Sequence, residues 1–277
     1  MPNRKEFAKT RAPETGGART SASASADEPP IALAHDIALF LDVDGTLIDF
    51  APTPGEARAG PALADLLETI AARLDGALAL ISGRELESID AAIGLPRLAA
   101  GGQHGAQIRR ADGHVSRFDG VSTLMPALRT QADAFAAAMP GVLVEHKYNA
   151  LALHFRGAPH AAAAVHAAAQ ALLSEAGPAY ELLPGYAVVE LKPAGATKGT
   201  ALAALMREAP FAGRLPWVFG DDFTDEHAFE SANALGGVSV IVGPRRPTAA
   251  RFALADPHAV RRWLGAFAVD AEQTEMP

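Results

Sequence analysis

Cysteine is missing from the chain, which excludes disulfides, thiolate-bound zinc and a cysteine nucleophile. Aromatic residues are sparse at 6%, so the core must be built chiefly from Ala, Leu and Val. No apolar run approaches the roughly 18–20 residues that span a membrane, and a membrane partner is not expected. Positive charge is in deficit: 24 Lys and Arg stand against 32 Asp and Glu, a formal net charge of -8. Phosphate backbones attract basic surfaces, so nucleic acid is not expected as a partner either. A chain without thiols suits a reducing compartment, and a cytoplasmic location is the expectation. What is present suffices for a packed protein. The 277 residues are 49% hydrophobic and 20% charged, compatible with one large domain or a principal domain carrying a smaller one.

Residues 1–30 are polar and rich in Ser, Ala, Pro and Gly; they are expected to form a disordered tail, and without an apolar stretch they do not resemble a secretory signal. The run Ile37 to Leu41 ends at an Asp-Gly turn, the pattern of a strand buried on both faces. A helix should follow from Pro61, with Leu63, Leu66, Leu67, Ile70 and Leu74 at helical spacing and a stop near Gly76. A second buried strand, ALALISGR, and a second helix with Leu86, Ile89 and Ile93 complete a strand-helix-strand-helix order, which indicates a parallel sheet. A short strand near Leu98 to Gly101 and a hairpin turning at Asp112-Gly113 extend it. From about Pro126 the order changes to helix, two strands, helix, two strands, an antiparallel sheet with two helices on one face. After Lys192 the first pattern returns, with a helix from Thr197, the strand PWVFGDD, a helix from Thr224, the strand VSVIVG and a helical segment containing Trp263. The expected architecture is therefore α/β. A Rossmann-like core with a parallel sheet occupies 31–119 and 193–277, and an inserted α+β unit occupies 120–192.

Four polar clusters fall at carboxyl ends of expected parallel strands or at the helix starts that follow. They are Asp42 with Asp44, Ser82-Gly83-Arg84, Lys198-Gly199, and Asp221-Asp222 with Asp225. In open α/β sheets the ligand crevice lies outside those strand ends, so clusters distant in sequence should converge. Asp42, Asp44 and Asp221 would repel one another there, and a hard divalent cation relieves such repulsion. Oxygen donors without His or Cys point to Mg²⁺ over Zn²⁺, with Asp221 binding it directly and Asp225 orienting a metal-bound water. The Ser82 hydroxyl, the Lys198 ammonium and the backbone N–H groups of the Gly45-Thr46 turn suit a phosphoryl dianion. Asp42, last on its strand, can attack phosphorus. Asp44 can protonate the leaving alkoxide and then take a proton from water.

The segments LDVDGTL, SGR, KG and GDDFTDE resemble, in order and spacing, the four motifs of the haloacid dehalogenase superfamily of phosphatases. The insert is similar to the α/β cap (C2B type) of its sugar-phosphatase branch. More narrowly, ALALISGR, AGGQHGA, LALHFR, VVELKP, TKGTALAALM and VFGDDFTDE resemble bacterial stand-alone trehalose-6-phosphate phosphatases, over roughly residues 35 to 268. The resemblance implies Mg²⁺-dependent hydrolysis of trehalose 6-phosphate through an aspartyl phosphate, in trehalose biosynthesis. Asp42 would be the nucleophile, Asp44 the acid and base, and Ser82 and Lys198 the phosphate holders. Asp42, the backbone carbonyl of Asp44, and Asp221 would bind the metal, with Asp225 beside them, while Thr46, Gly83 and Arg84 line the phosphate.

The insert offers a sugar site. Leu143, Glu145 and Lys147 share one strand face, and Glu190 and Lys192 share another while Val189 and Leu191 occupy the opposite one. With two helices on one side, the other should face the catalytic clusters. On periodicity alone this polar face is either solvated or hydroxyl-binding. The resemblance favours the second, with Glu145, Lys147, Glu190 and Lys192 contacting glucose rings and His104 joining from the core rim. The same machinery could serve another sugar phosphate, such as sucrose phosphate or a mannosyl-glycerate precursor. A phosphomutase ranks lower because the inserted cap and the hydrolase-type motifs favour water as acceptor, and a non-catalytic sugar-phosphate sensor ranks lower because Asp42 and Asp44 are both intact. A monomer acting on a small molecule is expected.

Overall fold

The computed structural model describes residues 28–30, 36–50, 57–118, 123–244 and 247–270. Most of the expected tail, the expected junctions at residue 31 and near residue 120, and the last seven residues lie outside the described residues.

The first strand, β1 (Ile37–Leu41), is buried along its whole length, and its apolar run follows from that. Leu39, Phe40 and Leu41 are fully enclosed, each stabilising the fold by roughly 1.5–3 kcal/mol. Helix α1 (Pro61–Arg73) starts on its proline and buries Leu63, Leu67 and Ile70. Then come β2 (Leu78–Ile81), α2 (Leu86–Ile93) and β3 (Ala99–Gly102), followed by the hairpin β4 (Gln107–Arg109) and β5 (Val115–Arg117). The hairpin turns at Gly113, whose φ of 87° places it in the left-handed region.

The chain then forms α3 (Met125–Ala137), β6 (Leu143–His146), β7 (Leu151–His154), α4 (Ala162–Ala176), β8 (Tyr180–Gly185) and β9 (Val188–Pro193). It returns through α5 (Lys198–Leu205), β10 (Leu215–Gly220), α6 (Glu226–Ala234), β11 (Val238–Val242), β12 (Phe252–Leu254) and α7 (Pro257–Asp270). The three-residue strand β12 is not among the sequence expectations, being too short to show a period.

Two sheets result. The larger runs β12-β11-β10-β1-β2-β3-β4-β5, parallel from β12 to β3 and antiparallel at β4 and β5. The smaller is antiparallel, β6-β7-β9-β8. Each has its own apolar core. One gathers residues from β1 to β3 together with those from α5 to α7. The other gathers Met125, Leu128, Val165, Leu172, Leu151, Leu153, Val189 and Leu191 against α3 and α4. The α/β architecture with an inserted α+β layer is as the sequence pattern indicated. Because β1 pairs with β2 on one side and with β10 on the other, the connection order reverses at β1, which opens a crevice beyond its carboxyl end.

Candidate active site

Asp42 follows directly on β1, Ser82 on β2 and Asp221 on β10; Lys198 opens α5. That helix start is rigidly set: the Thr197 hydroxyl accepts the backbone N–H of Thr200 at 3.1 Å and the Thr200 hydroxyl accepts that of Thr197 at 3.0 Å, a reciprocal cap. Lys198 is thereby sunk between two carboxylates, donating to Asp42 Oδ1 at 2.6 Å and Asp225 Oδ1 at 2.7 Å. All three side chains are buried.

Burial pushes Asp42 well above the usual carboxylate range, Lys198 opposes this, and Asp225 and Asp221 reinforce it. Burial, together with the negative charge of Asp225, raises Asp221 to about 7. Burial alone would lower Lys198, but Asp225 and Asp42 raise it and keep it cationic. Carboxylate oxygens of Asp42, Asp221 and Asp225 lie within 4.8 Å of one another, so three acids crowd beside one ammonium, and the raised Asp42 and Asp221 reflect burial and their mutual repulsion. Oxygen donors in that state fit a hard dication such as Mg²⁺. Asp225 is the least available of them. Its Oδ2 accepts the backbone N–H groups of Asp221 at 3.2 Å and Asp222 at 3.0 Å while its Oδ1 holds Lys198, so it braces the loop and the ammonium. Gly45 has no alternative: at φ 78° a β-carbon would stand 2.3 Å from Asp221 Oδ2. Thr46, fully buried, has its hydroxyl 3.5 Å from Asp221 Oδ1.

Ser82 Oγ accepts the backbone N–H of Arg84 at 3.2 Å, which leaves its proton free to donate. Arg84 grips Asp44, with Nε on Oδ2 and a terminal nitrogen on Oδ1, both at 2.6 Å. This fork fixes the carboxylate and raises Arg84 further through the hydrogen bond itself. The sequence placed Arg84 beside phosphate; in the structure its guanidinium is engaged with Asp44 and, at 3.3 Å, with Ser88.

The polar face of the smaller sheet meets this crevice. Lys147 donates to Glu190 Oε2 at 2.8 Å and to the Gly83 carbonyl at 3.3 Å, and His104 Nε2 lies 3.7 Å from the same Glu190 oxygen. Burial would raise Glu190, yet Lys147 and His104 hold it down at about 2. Burial lowers His104, an effect partly offset by Glu190. Burial would also lower Lys147, but Glu190 and Glu145 raise it. Glu145 pairs with His154 at 2.9 Å, the contact that chiefly lowers it. Gly83 must lack a side chain, since a β-carbon would meet the His104 ring at 2.7 Å. Three buried atoms here, Glu190 Oε1, His104 Nδ1 and Gln103 Oε1, have no hydrogen-bond partner among the described residues. Such atoms need a ligand or water, and sugar hydroxyls match them.

Lys192 is placed elsewhere. Its ammonium donates to Glu181 at 2.5 Å and to the carbonyls of Ala196 at 2.6 Å and Pro193 at 3.4 Å. It therefore fastens the chain returning to α5, where the sequence reading had it contacting a glucose ring. Sequence reasoning missed Glu85, Gln103 and His154. The backbone of Gln103 and His104, at φ 47° and 55°, gives no sequence signal because positive φ is uncommon for any residue but glycine, and two such residues in succession are not marked by their types.

A family model for trehalose-phosphatases matches residues 40–258. A trehalose-6-phosphate phosphatase of Escherichia coli is 39% identical over 232 residues, 84% of this chain and 86% of that protein. A probable trehalose-phosphate phosphatase of Sinorhizobium fredii is 40% identical over 210 residues, 76% of this chain and 79% of that protein. Among solved structures, a trehalose-6-phosphate phosphatase related protein superposes with a TM-score of 0.71 at 25% identity, over 86% of this chain and 100% of that one. The C-terminal domain of a C. albicans trehalose-6-phosphate phosphatase shares the fold, with a TM-score of 0.72 at 21% identity over 85% of this chain and 93% of that one. With its strand-end aspartates, Ser82 and Lys198 assembled in one crevice, the chain belongs to the trehalose-phosphatase family.

Proposed function

We propose that the chain hydrolyses trehalose 6-phosphate to trehalose and inorganic phosphate, with Asp42 as the nucleophile. In the first step an Asp42 carboxylate oxygen forms a bond to phosphorus as the bond from phosphorus to the sugar oxygen breaks, and Asp44 gives that oxygen a proton. In the second, Asp44 takes a proton from water, the resulting hydroxide attacks phosphorus, and the acyl phosphate opens to phosphate and a restored Asp42. Lys198, cationic and buried against Asp42, together with the Ser82 hydroxyl, balances charge on the phosphoryl oxygens. Asp42, Asp221 and the main-chain carbonyl of Asp44 would hold Mg²⁺, which when bound neutralises the phosphoryl group so that like charges can approach. The observation that carries the chemistry is the Asp42–Lys198–Asp225 chain, two strong ion pairs kept dry at a strand end.

The substrate assignment rests on the family together with Glu145, Lys147, Glu190 and His104 facing the crevice. The layer from about 120 to 192 acts as the cap that encloses the disaccharide. Phosphate release on a panel of trehalose, sucrose and glucose 6-phosphates tests this, with Asp42→Asn as the control. Trehalose 6-phosphate should be preferred, and the variant should bind it without turnover. A wild type that turned over none of them would make the protein a sensor, and preference for another sugar would reassign the substrate. A cytoplasmic monomer acting on a small molecule belongs to the same proposal. The net charge of -8 supports the small molecule over nucleic acid as partner, and among the described residues no helix is long and apolar enough to cross a membrane.

A further inference from the structure

Four consecutive residues between β2 and α2 each hold a different party. Ser82 carries the phosphate-facing hydroxyl. The Gly83 carbonyl accepts the Lys147 ammonium of the cap at 3.3 Å. Arg84 forks both oxygens of Asp44 at 2.6 Å. Glu85 Oε1 accepts the backbone N–H of Tyr148, in the cap turn between β6 and β7, and the side-chain amide of Gln103 at 3.1 Å. That turn is stiff. Arg129 of α3 donates to the carbonyls of Lys147 and Tyr148, the Arg117 guanidinium sits over the Tyr148 ring at 5.4 Å, and Asn149 donates to the Phe118 carbonyl. The loop itself is equally tight, with Gln103 N–H on the Arg84 carbonyl at 2.7 Å and Arg84 N–H on Ser82 Oγ at 3.2 Å. Movement of the cap must therefore pull on Glu85, which is bonded directly to the residue that aims the acid.

We infer that Glu85 is a positioning residue that couples seating of the cap to the placement of Asp44, acting through Arg84. The inference rests on the phosphatase assignment above. With the cap seated, Glu85 is anchored at both Tyr148 and Gln103, and the Arg84 fork presents Asp44 to the leaving oxygen. With the cap away, Glu85 loses the Tyr148 amide, and the fork has one fewer restraint just when water can enter. Proton delivery is thereby tied to the presence of the sugar, with the cap as the element that senses it.

The leaving group separates this role from a merely structural one. A sugar alkoxide needs a proton to depart, whereas p-nitrophenolate does not. The experiment measures leaving-group release in the first turnover by the Mg²⁺-loaded enzyme, from trehalose 6-phosphate and from p-nitrophenyl phosphate. Glu85→Ala should slow the sugar ester about tenfold more than the aryl ester, a fraction of what a general acid contributes. Glu85→Gln, which keeps an oxygen to accept the Tyr148 amide, should recover most of that loss. Glu85→Asp, one methylene too short, should not, and it serves as the test should the alanine variant fail to fold. Equal losses on the two esters, no loss on either, or no difference between the Gln and Asp variants would overturn the coupling. A wild type inactive on trehalose 6-phosphate would instead defeat the substrate assignment, and glucose 6-phosphate would then supply the alkyl ester for the same comparison.

Discussion

Replacing Lys198 by Met keeps the length of the side chain and removes its charge. The ammonium lies 2.6 Å from Asp42 and 2.7 Å from Asp225, and the three side chains are 3%, 6% and 1% exposed. Water therefore cannot compensate for its loss. Removing one partner of a buried ion pair costs about 3–5 kcal/mol, which for a domain of this size lowers Tm by about 6–20 °C. The pH dependence follows from the carboxylates. Without Lys198, Asp42 is raised further above its unfolded value of about 4, so between that value and the folded one the native state binds more protons than the unfolded state. Stability then falls as pH rises. In the wild type, the raised Lys198 is protonated in both the folded and the unfolded state at every pH below its unfolded value of about 10.4, so its own titration adds no pH dependence from pH 5 to 8. The deficit of the variant should be about 3–5 kcal/mol at pH 8 and clearly smaller at pH 5. Urea unfolding in the presence of a chelator, followed by the fluorescence of Trp217 and Trp263, measures it. These are the chain's two tryptophans, with ring centroids 5.8 Å apart. A deficit below about 1 kcal/mol at pH 8, the range of an exposed pair, or one equal at both pH values, would refute the charge accounting.

Further outcomes can be checked together. With Asp221 raised to about 7 in the metal-free protein, Mg²⁺ must displace a proton below that pH; calorimetry should find affinity weakening as pH falls from 8 to 6, and a flat profile would contradict it. Lys147→Ala removes the donor to Glu190 and Gly83 and should raise KM for trehalose 6-phosphate by about tenfold, the worth of a hydrogen bond to a charged group, with a smaller effect on kcat. An unchanged kcat/KM would remove Lys147 from the sugar site. Gly45→Ala drives a methyl to 2.3 Å from Asp221 Oδ2 in a left-handed backbone, so Mg²⁺ affinity and thermal stability should fall together; wild-type Mg²⁺ binding in this variant would show that the turn relaxes.

The strand-end clusters were legible because a buried parallel strand announces itself as an unbroken apolar run, and polar residues at its carboxyl end have nowhere to point but the crevice. Asp42, Ser82 and Asp221 follow directly. Lys198 follows the helix start that the sequence placed at Thr197, while the reciprocal bonds of Thr197 with Thr200 that fix it are contacts of the folded chain. The limits are equally physical. Alternation along β9 gives the face of Lys192 but not its neighbours. Pairing of β7 with β9 ends at Leu151 and Leu191, so Lys192 lies one step beyond and finds Glu181 of β8 instead. The Arg84–Asp44 fork and the Glu85–Tyr148 bond join residues 40 and 63 positions apart, and no local period encodes such contacts. The left-handed pair Gln103-His104 is imposed by its surroundings at a cost of about 1–3 kcal/mol per residue, offset by packing that only the folded protein contains.

Among the described residues the two apolar cores share no member. What joins the layers around the crevice is mainly polar, with the edge-on contact of Phe118 and Tyr180 at 6.5 Å as an apolar exception. Parting such a seam uncovers little greasy surface, so the heat-capacity change of opening is small. The balance between open and shut should accordingly drift little between a cold cell and a warm one, while dissolved ions, which weaken exposed charge pairing, shift it readily.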